Sequence, residues 1–397
     1  MNRNLLHKEV QDFINDNLNT DIHTILLGKK LFSNVENREL VEQLESKIKA
    51  EKKLPTWFET KNIYYANKLN ISQTSSEICA RYKADLVSGK TLADLTGGFG
   101  VDSLYFSKKF AKVFHVEKNN HVSEIAHHNF NQLGASNIEV LHEDGITFLE
   151  GINEKLDWIY LDPSRRDHSN KKVYFLQDCE PDVTQHFDLL LTKSDNVLIK
   201  TGPMLDLSVG LDQLKYVREI HIVSIENEVK EILWLLKTEF SCEPFVKTID
   251  FNKENIESFQ FWYKEKVNAR PLYSKPLNYL YEPNAAIMKS GAYNLVGERY
   301  GLSKLQEHSH LYTSETLVSF PGRIFEIEKT IPYNKKFIKR LGFKKANITT
   351  RNFPETVDQI RKKTKLMDGG QNYLFFTKDA NNDFIVIFAI PTSGKRV

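Results

Sequence analysis

The feature that most constrains this chain is the run Asp94-Leu95-Thr96-Gly97-Gly98-Phe99-Gly100-Val101-Asp102, which continues directly from the apolar stretch at residues 91–95. Glycines there let the backbone turn tightly and let a ligand approach it closely. A helix starting just after them would offer free N–H groups and the positive end of its dipole. A dinucleotide fingerprint would need Gly or Ala where Ser103 stands, and a phosphate-binding loop would need a Gly-Lys-Ser/Thr that is missing. A glycine-rich turn holding no ligand is the bland alternative.

Around this junction apolar runs alternate with amphipathic ones. Residues 91–95, 113–117, 138–141, 158–161, 196–200 and 219–225 read as strands, and 75–86 and 122–133 as helices. Strands separated by helical segments predict crossover units and a parallel sheet covered on both faces, an α/β, Rossmann-like doubly wound fold. Upstream, Leu5, Val10, Phe13, Ile14 and Leu18 recur at helical spacing, and residues 40–53 repeat the pattern as far as Pro55. Beyond residue 265 the texture shifts, Pro271, Pro276 and Pro283 cluster, and two short α+β segments follow. The expected division is a helical region at 1–74, a sheet domain at 75–267, and α+β segments at 268–322 and 323–397.

Composition adds bounds rather than identity. The 397 residues suit two or three domains, and 41% hydrophobic with 27% charged residues is ordinary for a soluble chain. The mixed N-terminal stretch has no apolar signal region, and no run approaches membrane-spanning length. Cys79, Cys179 and Cys242 are widely spaced and odd in number, which predicts neither a metal cluster nor a disulfide framework and suits the cytoplasm. The oligomeric state is not readable.

Three carboxylates sharpen the glycine junction. Glu117 closes the second strand, where an acid can accept both hydroxyls of a ribose. Asp144, in Leu141-His142-Glu143-Asp144-Gly145, closes the third and could accept an adenine amino group. Asp94 precedes the glycines, where it would repel a pyrophosphate but could orient an ammonium group. A cationic methionyl end and an adenosine end together describe S-adenosylmethionine (SAM). Each acid alone would read as a solvated strand end; the ordered set points to the ligand.

On these residues, positions 75–265 resemble a class I SAM-dependent methyltransferase. Asp94 to Gly100 matches that family's first motif, Glu117 its second and Asp144 its third; Thr96 departs from the usual Gly. The resemblance implies a cofactor site made of Asp94, Thr96, Gly97, Gly98, Gly100, Asp102, Glu117, Lys118, Asp144, Gly145 and Asp162, with no metal. Gln73-Thr74-Ser75-Ser76 resembles the segment that caps the methionyl end, which would add Ser75; alternatively Thr74 or Ser75 is a helix N-cap.

Leu161-Asp162-Pro163-Ser164-Arg165-Arg166-Asp167 follows the fourth strand, at the carboxyl end where such sheets bind ligands. Asp162 and Pro163 match the family's fourth motif, which holds the methyl acceptor; Ser164 departs from it. Arg165 and Arg166 could clamp a phosphate or pair with Asp167. With no cysteine beside Pro163, carbon-5 methylation of a pyrimidine is disfavoured. Methylation of a base nitrogen requires a lone pair held in line with the methyl group. Alternatively, Lys83, Asp162, Lys200 and Glu226 resemble the Lys-Asp-Lys-Glu set of ribose 2′-O-methyltransferases, in which a lysine takes the hydroxyl proton; Lys83 would otherwise be a surface lysine of its helix.

Lys335, Lys336, Lys339, Arg340, Lys344 and Arg351 form a basic stretch without an acid between them, interleaved with Tyr333, Phe337, Phe343 and Phe353. Cations neutralise phosphates and rings stack on unpaired bases; a solubilising helix face is the alternative. The segments Tyr281-Glu282-Pro283-Asn284-Ala285-Ala286-Ile287, Ile348-Thr349-Thr350-Arg351-Asn352-Phe353-Pro354 and Gly369-Gly370-Gln371-Asn372-Tyr373-Leu374 resemble a small ferredoxin-like domain followed by the THUMP-like domain of bacterial RNA methyltransferases. That resemblance implies an RNA partner, rRNA or tRNA. A methyltransferase for a protein or small molecule, or a non-catalytic RNA-binding protein, are the competing readings.

Overall fold

The computed structural model of the chain describes residues 1–165, 175–253, 255–334 and 344–392. They divide into two compact units, Met1–Val217 with Leu233–Ser241, and Arg218–Ile232 with Cys242–Val397. Among the described residues no helix is long and apolar enough to cross a membrane.

The first unit is built on parallel strands. β1 (Gly89–Asp94) pairs with β2 (Phe110–Val116) on one side and β4 (Trp158–Leu161) on the other. β2 pairs with β3 (Ile138–Leu141), and β4 with the strand Asn196–Thr201, again in parallel. All four residues of β4 are buried, the continuous apolar texture of a strand covered on both faces. The helices Val101–Ser107, Asn120–Gln132 and Gly145–Gly151 follow β1, β2 and β3, so the chain is the expected doubly wound α/β fold. Because neighbouring strands run outward from β1, a crevice opens at its carboxyl end.

The N-terminal region is helical, as its periodicity predicts. The helix Asn37–Lys53 starts on a capping box between Glu36 and Glu39 and stops before Pro55, which opens the next helix, Pro55–Glu59. The extended segment that follows has no strand partner among the described residues. Its buried peptide groups are satisfied by two carboxamides instead. Gln43 accepts from Tyr65 N at 2.9 Å and donates to Tyr65 O at 2.7 Å, and Asn129 does the same for Tyr64 at 2.9 Å each way. The second of these clips ties the N-terminal region to the helix after β2.

The strands Val217–Ile225 and Glu228–Lys237, of which residues 218–232 belong to the second unit, flank a two-residue turn, Glu226-Asn227, with φ of 51° and 62°. Phe245–Phe251 runs parallel to the first of these strands and antiparallel to Ile256–Trp262. A separate eight-stranded sheet carries the C-terminal part. Its long strand Gly322–Pro332 pairs with Tyr279–Pro283 and with Phe384–Pro391, so the two expected α+β segments share one sheet. Along Tyr373–Lys378 the side chains alternate, Leu374 and Phe376 entering one core cluster and Phe375 another.

Candidate active site

The crevice beyond β1 holds a cavity of about 400 Å³, within the size range of small-molecule sites. Its wall includes Ser75, Thr96, Gly97, Gly98, Gly100, Asp102, Glu117, Lys118, Asp144, Gly145 and Asp162. Of the residues expected at a cofactor, Asp94 alone is not part of that wall.

The loop after β1 is shaped by close approach. Gly98 and Gly100 have φ of +55° and +87°, in the left-handed region. A Cβ at Gly100 would stand 2.4 Å from Phe130 Cζ, and one at Gly97 would stand 2.4 Å from His115 Cε1. Side chains are therefore excluded by what lies behind the loop as well as by backbone conformation.

Asp94 belongs to that hidden layer. It is 1% exposed and accepts from Ser103 Oγ at 2.6 Å and from Thr96 N at 3.1 Å. Ser103 Oγ also lies 2.9 Å from His115 Nδ1, while His115 Nε2 is buried with no hydrogen-bond partner among the described residues. Burial pushes the Asp94 carboxyl up to about 7, with Asp102 and Asp162 adding repulsion against Ser103 and Thr96, and burial holds His115 down at about 3. Ser103 and His115 are functional neighbours that carry no motif of their own along the chain. Their only signal was polarity at the register position beside Asp94, since Asp94 pairs with His115 across the sheet.

Glu117 accepts from Gly98 N at 2.8 Å and Asn119 N at 2.7 Å, which ties the end of β2 to the glycine loop. Asp144 caps the helix after β3 through Ile146 N at 2.9 Å. Lys118 reaches Glu180 at 2.6 Å, and Glu180 and Pro181 complete the wall from a short strand pair, Ser164–Arg165 with Cys179–Glu180, that no local pattern announces.

Ser75 is not a helix cap; Ser76 has that role, accepting from Cys79 N. Ser75 Oγ instead donates to Asp102 Oδ2 at 2.9 Å and accepts from Lys83 Nζ at 2.8 Å. Tyr160 OH also donates to Asp102 Oδ2, at 2.8 Å. Lys83 is fully buried, 3.1 Å from Asp102 Oδ1, and is therefore no surface lysine.

Asp162 N donates to Thr96 Oγ1 at 2.7 Å, and Asp162 Oδ2 meets Lys200 Nζ at 2.5 Å. The threonine standing where the family usually has glycine thus joins the two loops. Pro163 follows, half-buried. Glu226, expected at a strand end, sits in the exposed hairpin turn of the second unit. The Lys-Asp-Lys-Glu set therefore includes an enclosed lysine paired with a different acid.

On the expected substrate side, Lys344 is exposed, and Arg351 bonds the buried Glu282. Arg166, Lys335, Lys336, Lys339 and Arg340 lie outside the described residues, as does the side chain of Arg165. Tyr333 and Phe353 pack edge to face at 4.9 Å, half-buried against one core cluster.

Comparison with known proteins agrees with this architecture. Residues 279–321 match the model of a ferredoxin-like domain, and residues 322–389 that of a THUMP domain-like family. No curated protein sequence matches the chain. Among solved structures, a candidate methyltransferase from Porphyromonas gingivalis W83 is 30% identical over 98% of this chain and 99% of its own, with a TM-score of 0.89. An rRNA methylase from Streptococcus thermophilus covers 42% of this chain and 98% of its own at 14% identity and a TM-score of 0.31. A Streptococcus mutans candidate methyltransferase in complex with SAH covers 41% and 96% at 12% identity and a TM-score of 0.31. The chain belongs to the family of the Porphyromonas protein, the class I SAM-dependent methyltransferases with a C-terminal THUMP-like domain.

Proposed function

We propose that this protein transfers a methyl group from SAM to RNA, rRNA or tRNA, at a base nitrogen. The observation that carries the reading is the cavity at the end of β1, walled together by the glycine turn, Glu117, Asp144 and Asp162. The residues fit the cofactor. The glycine turn lines the cavity while His115 and Phe130 close off the space behind Gly97 and Gly100, and Glu117 keeps acceptor capacity beyond its two backbone bonds for ribose hydroxyls. Asp144 and Ile146 border the adenine end, and Ser75 and Asp102, with Lys83 behind them, border the methionyl end. SAM supplies a methyl carbon activated by its sulfonium.

The chain's own part is to bind and orient. Lys200 holds the Asp162 carboxylate in one place, and the Thr96 hydroxyl fixes the backbone of the same loop. An acceptor N–H donated to Asp162 would direct the nitrogen lone pair toward the methyl group, and such positioning supplies much of a transfer barrier. A base nitrogen is favoured over a ribose hydroxyl because the Lys-Asp-Lys-Glu set is incomplete: only Lys200 meets Asp162, while Lys83 is enclosed and ion-paired with Asp102 and Glu226 stands in an exposed turn. The RNA half of the reading is supported by the THUMP-like match at residues 322–389.

The test is incubation of purified protein with labelled SAM and total RNA from cells lacking it, followed by mass spectrometry of the nucleosides. A new N-methylated nucleoside is expected. Label entering protein or a small molecule instead would overturn the RNA assignment, and absence of calorimetric binding of SAM and SAH would overturn the whole reading.

A further inference from the structure

In the second unit one buried carboxylate is shared by two arginines. Glu282 is 3% exposed. Its Oε2 accepts from Arg323 Nε at 2.8 Å and from Arg323 Nη2, and its Oε1 accepts from Arg351 Nη2 at 2.7 Å and Nε at 3.2 Å. Glu282 and Arg323 are direct cross-strand partners. The register is tight, because a Cβ at the adjacent Gly322 would stand 2.2 Å from Glu282 O. Arg323 also lies over the rings of Phe325 and Tyr373, at 5.5 and 5.8 Å. Both guanidiniums are thus held rigidly by one edge, while their side chains keep 45% and 37% exposure.

One fork would neutralise Glu282. The second leaves an excess positive charge and two cations close enough to repel each other, an arrangement that a further anion relieves. The surroundings reinforce the field, since Lys304, Arg351 and His308 add to burial in keeping His310 uncharged. Neither Nη1 has a protein hydrogen bond among the described residues, so each fork keeps donors for a phosphate oxygen, the geometry guanidinium recognition favours. Tyr373, 4.9 Å from Phe325 and half-buried, sets an aromatic face beside them.

We infer that Arg323 and Arg351, braced by Glu282, form a phosphate clamp that takes a backbone phosphate of single-stranded RNA. The inference rests on the RNA reading above and names a contact within it. The site joins the two matched segments, Glu282 lying in the ferredoxin-like one and both arginines in the THUMP-like one.

The experiment measures anisotropy of a labelled single-stranded RNA of about 12 nucleotides with the full-length protein, from roughly 50 to 300 mM KCl. The variant is Glu282→Gln with Arg351→Gln, which removes carboxylate and guanidinium together and leaves net charge unchanged. It is expected to bind about tenfold more weakly, with the slope of log affinity on log salt shallower by about 0.7. Equal affinity and slope in wild type and variant, with steep salt dependence in both, would overturn the clamp and leave the RNA reading standing. Wild-type binding that ignores salt would overturn both. Should the double variant lack a cooperative melt, Arg323→Lys decides: it keeps the charge and loses the fork, and unchanged affinity overturns the clamp. Inorganic phosphate at constant ionic strength is expected to displace RNA only at millimolar levels; displacement at micromolar levels would reassign the site to a small phosphorylated ligand.

Discussion

Lys83 Nζ lies 3.1 Å from Asp102 Oδ1, with the lysine wholly enclosed and the other carboxylate oxygen bonded by Ser75 and Tyr160. Breaking such a pair from one side leaves an uncompensated buried charge, at a cost of about 3–5 kcal/mol. Lys83→Met should therefore lower the melting temperature sharply, and adding Asp102→Asn should restore much of it. Methyl transfer per folded molecule should survive Lys83→Met; a folded variant that binds SAH but does not transfer would restore this lysine to the Lys-Asp-Lys-Glu set.

The glycine turn should tolerate no side chain. At Gly100 a methyl group meets both the Phe130 ring and a φ of +87°. Gly100→Ala is expected to cost about 1–3 kcal/mol of stability and to weaken SAH binding at least tenfold in calorimetry. Wild-type affinity in this variant would show that the turn is not the cofactor cradle.

The buried Asp94–Ser103–His115 chain predicts an unusual pH response. In the unfolded chain Asp94 titrates at 3.8 and His115 at 6.5; in the folded one burial moves them to about 7 and about 3. Between about pH 4 and 6.5 the folded protein holds a proton on Asp94 and the unfolded one holds it on His115. The proton counts are equal, so the two contributions to the slope cancel. Removing either group exposes the other. Asp94→Asn should lose stability as pH falls from 6.5 toward 3, and His115→Gln as pH rises from 4 toward 7, each by up to about 1.4 kcal/mol per pH unit. Urea midpoints across this range test it, and curves parallel to wild type in both variants would refute the coupling.

Asp162 and Lys200 should affect transfer rather than cofactor binding. Asp162→Ala and Lys200→Ala are each expected to reduce kcat about a hundredfold or more, the scale associated with lost acceptor positioning, with SAH affinity within a fewfold of wild type. A kcat close to wild type in Lys200→Ala would remove this lysine from the mechanism.

Glu117→Ala deletes the acceptor of Gly98 N and, on our reading, of the ribose. Hydrogen bonds to a charged group contribute about 1.5–3 kcal/mol, so SAH should bind roughly tenfold to a hundredfold more weakly. An unchanged dissociation constant would place the ribose elsewhere.

Much of the first unit was legible because its signals are local. The apolar runs of β1 to β4, the glycines, and acids at successive strand ends are all read along the chain. That Ser75, Glu117, Asp144 and Asp162 wall one cavity follows once the strands are parallel and side by side. Residues 217–237 were harder. The run at 219–225 reads as one more crossover strand, and only the positive φ of Glu226 and Asn227 turns it into a hairpin that takes Glu226 out to solvent.

The sequence by itself determined the doubly wound class and the glycines and strand-end acids Glu117, Asp144 and Asp162 that face the cavity, since hydrophobic period and turn chemistry are properties of neighbours in the chain. Tertiary structure alone decided which buried polar groups partner each other. Asp94 went behind the wall to Ser103, Lys83 to Asp102, and Arg351 to Glu282. The reason is that a buried charge takes its partner from whatever lies within a few ångströms, across separations of 9, 19 and 69 positions here, and no short-range pattern in a chain encodes such a distance.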